Sequence, residues 1–165
     1  MDARLQRSSR ARRFYLAVLL SGWMGLALAQ PPAVAPACDD SAGQPRLQVR
    51  VAGLKNAKGN ITITVYPDDA SRFLAKGGKL ARQRVPAVQP ETTACFSLPT
   101  AGGYAIAVYH DANDDHDFNR NFVGRPTEGF GFSRNPKTVL GLPRFSEVRF
   151  VAQAGDNPVQ ITLSY

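Results

Sequence analysis

From Arg46 onward the chain alternates between apolar and polar positions in short runs, each closed by turn-forming residues. Leu47, Val49 and Val51 share one face of a run over 46–51, which predicts a half-buried strand. Gly53 to Gly59 is turn chemistry. Asn60 to Tyr66 alternates again, with Ile61, Ile63 and Val65 on one face and threonines on the other. β-Branched residues on both faces strengthen the strand assignment. Pro67 to Ala75 predicts one or two helical turns, capped by Asp68 and ended at Gly77-Gly78. Leu80 to Val88 predicts an edge strand, because Pro86 lacks a ladder donor.

Thr92 to Leu98 sets Ala94, Phe96 and Leu98 against Thr93, Cys95 and Ser97. Tyr104 to Asp111 is the strongest strand signal, with Tyr104, Ile106 and Val108 on one face and Ala105, Ala107 and Tyr109 on the other. A long loop follows, from His110 to about Arg144. Its length in a compact domain points to function or to ordering by a metal. Two strands, Glu147 to Ala152 and Val159 to Tyr165, close the chain. About seven short strands at roughly ten-residue spacing, with almost no helix, predict an all-β fold, an antiparallel β-sandwich.

The first 45 residues have a different character. Five arginines precede an apolar run of 15 residues, Phe14 to Leu28, and Ala27-Leu28-Ala29 is an A-x-A cleavage pattern. Residues 1–29 therefore read as a secretory signal peptide, and the protein as exported, periplasmic or extracellular. The run is shorter than the roughly 20 residues of a membrane span, so a retained anchor is the weaker reading. Residues 30–45, rich in Pro and Ala, read as a flexible linker, leaving 46–165 as one domain.

Export changes the charge argument. Five of the 20 basic residues and one of the 13 acidic ones lie before position 30, so the remainder carries 15 and 12, a net +3. Scattered bases at that charge give no support for nucleic-acid binding. The expected state is a monomer. Two cysteines, Cys38 and Cys95, read as a disulfide in an oxidising compartment. Closing a loop of over fifty residues, it would stabilise by roughly 4 kcal/mol. A lipidated Cys38 is the competing reading, disfavoured because the apolar run ends nine residues earlier.

The loop carries the chemistry. Asp111, Asn113, Asp115, Asp117 and Asn119 recur at every second position, and oxygen ligands so spaced can converge on one calcium ion. Glu128 could fold back as a further ligand. The spacing resembles the first half of a calcium loop, but His116 stands at the sixth position, where Gly permits the sharp turn, and Phe122 at the twelfth, where a bidentate Glu is needed. The alternative is a solvated loop of Asx turns. His110 and His116 lack a third nitrogen or sulfur ligand for zinc. Ser133 lacks the closing Gly of a nucleophile elbow. No catalytic residue is assigned, and a hydrolase using the loop Asp, His and Glu residues is the reading from another class. Phe118, Phe122, Phe130 and Phe132, with His110, are candidate ligand-binding residues for a glycan or peptide.

The run from Tyr104 to Asp111, then Asn113, Asp115 and Phe118, then Gly124-x-Pro126-x-Glu128-Gly129-Phe130-Gly131-Phe132-Ser133-x-Asn135, and later Pro143-x-Phe145, resembles the secreted bacterial family called domain of unknown function 2141. The resemblance covers about Leu47 to Tyr165. It implies an exported single domain, an immunoglobulin-like or transthyretin-like sandwich, and no defined activity. The loop departs from the family's pattern at His116, where Gly is common, and at Asn119, where Asp is common.

Overall fold

A computed structural model describes residues 43–138 and 142–165. The signal and nearly all of the linker assigned above, with Cys38, lie outside the described residues. The alternating runs become strands: β1 (Arg46–Ala52), β2 (Asn60–Pro67), β3 (Ala81–Pro86), β4 (Glu91–Ser97), β5 (Gly102–Asp111), β6 (Phe130–Phe132), β7 (Phe150–Ala152) and β8 (Asp156–Thr162). One short helix, α1 (Phe145–Val148), precedes β7.

The strands form two sheets, β4-β1-β8 and β3-β2-β5-β6, with β7 pairing the start of β5. The fold is an all-β sandwich. β3 stands at an edge, as Pro86 requires, and β5 is bonded to β2, β6 and β7. One pair departs from the antiparallel expectation: β1 and β8 run parallel, with Val49 opposite Val159. Parallel pairing needs a long crossover rather than a hairpin. Here the chain between them builds the whole of the other sheet.

The apolar faces meet as the alternation predicts. Leu47, Val49 and Val51 of β1, Ile61, Ile63 and Val65 of β2, and Ile106 and Val108 of β5 are buried together in the main core. At the usual ~25 cal/mol per Å² of apolar area, this burial is the principal stabilising term.

Three local expectations are corrected. Residues 68–78 form tight turns, not helix, and Asp69 rather than Asp68 caps them, its Oδ1 accepting Ser71 N at 2.8 Å. Asp68 instead accepts two 2.6 Å bonds from Arg149. The run from Glu147 is helical to Val148 and extended only from Phe150, because Glu147 Oε2 accepts Arg144 N at 2.6 Å and closes a turn first. The long loop contains β6, an inserted strand that pairs Phe132 with Ala107.

The outer face of the larger sheet is not polar. Thr62, Thr64 and Tyr66 are buried there. A second cluster, Tyr66, Ala105, Phe132 and Val148 with Phe73 and Phe145 against it, covers one end of that face. Among the described residues no helix is long and apolar enough to cross a membrane.

Candidate functional site

The site is built at the end of β5, where the ladder stops. Asp111 pairs with Asn60, and its carbonyl lies against Gly59, where a Cβ would come within 1.9 Å. Gly59 also has φ +64°, so only glycine suits the position. The Asp111 side chain is fully buried. The chain turns over it: Oδ1 accepts Asp115 N at 3.2 Å and Oδ2 accepts His116 N at 3.0 Å.

That turn requires left-handed backbone, at Asp114 (φ 59°) and His116 (φ 67°). His116 thus adopts the conformation for which a calcium loop ordinarily uses glycine. The departure at this position leaves the sharp turn intact, at the cost of a strained residue.

Asp115 is the hub. Its Oδ2 accepts Asn113 Nδ2 at 2.8 Å and Asn119 Nδ2 at 2.7 Å, and Oδ1 accepts Asp117 N at 2.9 Å. The Asn119 amide first, then the Asp117 N–H and the Asn113 amide, hold its pKa below the ordinary value. Glu128 folds back from the segment before β6. It is buried, and its Oε2 accepts Asn119 N at 3.0 Å. Burial above all pushes its pKa up, and the negative charges of Asp111 and Asp115 add to this.

Asp111, Asp115 and Glu128 each present a carboxylate oxygen within 4.8 Å of the other two. Among the described residues none of the three forms an ion pair with a lysine or arginine. Of the six predicted metal ligands, Asp111, Asn113, Asn119 and Glu128 therefore gather round a fifth, Asp115; the exposed Asp117 contributes only its backbone to these contacts. The two asparagine amides now turn nitrogen toward Asp115, and a half-turn of either would present its oxygen at the same place. Asp114, which the alternate spacing passes over, groups with Asp111 and His116; it also accepts a bond from Asn60 and lies 3.3 Å from His116 Nε2.

The five candidate ligand-binding residues separate. His110 lies on the inner face of β5, 1% exposed. Its Nε2 meets the Lys58 carbonyl at 2.8 Å and its Nδ1 meets the Tyr165 hydroxyl at 2.7 Å. A carbonyl only accepts, so Nε2 carries the proton and, in the neutral ring, Nδ1 accepts from Tyr165. Phe122 is fully exposed at the tip of a hairpin in which Asn121 Oδ1 accepts Val123 N and Arg125 N. Phe118, Phe130 and Phe132 come together on the outer face, with successive ring centroids 5.9 and 6.1 Å apart. Ser133 is buried; its hydroxyl accepts Ile106 N and donates to the Val148 carbonyl at 2.6 Å, tying β5 to α1.

The family model described as an uncharacterized protein conserved in bacteria (DUF2141) matches residues 49–160. The chain belongs to this family. No curated protein and no solved structure matches it. In this DUF2141 chain most of the segment that carries the resemblance has a structural task. Glu128 joins the acidic group, Gly129 lies under the Tyr165 ring, and Gly131 lies against Ile161 and Thr162. Phe130 and Phe132 form the aromatic row. Asn135 acts as a strand partner for β8, accepting Thr162 N at 2.8 Å and donating to the Gln160 carbonyl at 3.1 Å.

Proposed function

We propose that this DUF2141 protein is an exported binding module whose acidic loop is ordered by calcium. The observation that carries the reading is the convergence of Asp111, Asp115 and Glu128, two of them buried, with no lysine or arginine ion-paired to them among the described residues. Buried carboxylates without a counter-charge are costly, and a hard divalent cation bound by oxygens removes that cost. Asn113 and Asn119 are the amide ligands, and the backbone of the 111–119 turn supplies further oxygens. His116 in the left-handed region supports the same reading, because the turn a calcium loop needs is present.

Isothermal titration with calcium and with magnesium tests it. Calcium binds at one site per chain, with a dissociation constant of about 10⁻⁴ to 10⁻³ M, the range of extracellular modules. Magnesium binds more weakly, because it demands a tighter octahedral shell. Glu128→Gln loses the calcium heat. No calcium heat in the unaltered protein ends the proposal.

Export rests on the leader pattern of residues 1–29. It goes with a disulfide between Cys38 and Cys95, which would anchor the N-terminal segment to half-buried β4. A thiol assay on the denatured, unreduced exported protein then finds no free thiol; two per chain would exclude the bond.

A further inference from the structure

The outer face of the larger sheet is covered at one end by the 68–78 turns and α1, and beyond that cover lies a cleft of about 230 Å³. Its floor is set by small side chains: Thr64 and Ala107 are paired in register between β2 and β5, and Ala107 faces Phe132 on β6. Larger neighbours rise around them. Tyr66 lies next along β2 on the same face, Tyr109 next along β5, and Phe118 reaches over from the acidic loop. The depression is thus a consequence of alternation, two small residues ringed by aromatic ones.

Two guanidinium groups stand at the rim. Arg82 Nε donates to Thr64 Oγ1 at 2.9 Å, and its positive charge offsets part of the rise that burial gives the Tyr66 pKa. Arg120 lies over the Phe118 ring, 4.9 Å from its centroid, and Nη1 donates to the Gly124 carbonyl at 3.2 Å. Among the described residues neither arginine is ion-paired. An arginine has five N–H donors, so both keep donors for an incoming anion.

We propose that this cleft binds a small carboxylate with an aromatic body. The two unpaired arginines select a negative group. The Phe118–Phe130–Phe132 row, with edge-to-face ring geometry, offers edges and faces to a flat apolar body. The volume lies below the roughly 300 Å³ at which drug-sized pockets begin, so the ligand is small. Binding does not rest on the metal reading, although Phe118 and Arg120 belong to the same loop.

The test is calorimetric titration of protein purified from cells expressing the full chain, in calcium and in chelator. The probes are 2-naphthoate, its neutral counterpart 2-naphthylmethanol, and octanoate. The expected result is one naphthoate per chain in at least one of the two buffers, with both other probes weaker. Arg82→Gln and Arg120→Gln each weaken naphthoate about fivefold, the scale of an exposed charge pair. Both arginines are exposed, so these variants keep the fold. Ala107→Trp fills the floor and abolishes binding. Absence of naphthoate binding in both buffers overturns the proposal, as does equal binding of 2-naphthylmethanol, tighter binding of octanoate, or indifference to both arginine substitutions. Naphthoate binding by a protein that gives no heat with calcium alone would leave the cleft standing and remove only the metal.

Discussion

Single residues here take opposite parts for reasons of partnership. His110 and Asp111 are neighbours at the end of β5, both buried, yet only His110 has its side-chain polar atoms held by groups from distant parts of the chain. His110 has both nitrogens committed to Lys58 and Tyr165. Asp111 meets two backbone N–H groups of its own loop and, among the described residues, no lysine or arginine. Asp68 shows the contrary case. Arg149, through a two-pronged hydrogen bond, holds its pKa below the ordinary 3.8. A carboxylate depressed in the folded state adds stability above its unfolded pKa and loses it as pH falls through the folded one. Asp68→Asn is therefore expected to lower the melting midpoint by about a degree or two near neutrality, with the deficit shrinking below about pH 4. Melts of both proteins from pH 7 to pH 2.5 check this; a deficit constant across that range would deny the ion pair any part in stability.

At the scale of elements, alternation made most of the sandwich legible. β1, β2, β4 and β5 lie where the apolar period places them, because each buries one face in a common core. β6 was hidden in the long loop, since Phe130-Gly131-Phe132 is too short for a period to register. What fixes it is distant: Ala107 and Tyr109 on one side, and Ser164 bonding Phe130 through both backbone groups on the other. The helix expected at 67–75 fails because Leu74, inside the expected run, takes left-handed backbone and leaves too few residues before it for a stable helix. The acidic ladder was legible as a spacing, and Glu128 as its return partner. The cleft was not, because it is made of gaps. Its one signal was the absence of charge at Thr62, Thr64, Tyr66, Ala105 and Ala107, which a solvated outer face would not show.

For the whole molecule, the acidic loop, β6 and the aromatic row form one connected body on the larger sheet. Glu128 joins the loop to β6, and Phe118 joins it to the aromatics. A cation at the Asp111–Asp115–Glu128 group would therefore act on the fold beyond the loop itself. A ligand that binds only the folded state stabilises by about 2.7 kcal/mol at one hundred times its dissociation constant. On a domain of this size that amounts to several degrees. The most direct measurement is the thermal midpoint of the purified protein in chelator and then with calcium in large excess over its dissociation constant. The midpoint is expected to rise by several degrees in calcium, and not to rise in Glu128→Gln. An identical midpoint in both buffers would mean that calcium does not order the loop, leaving 111–119 as a set of Asx turns closed on themselves.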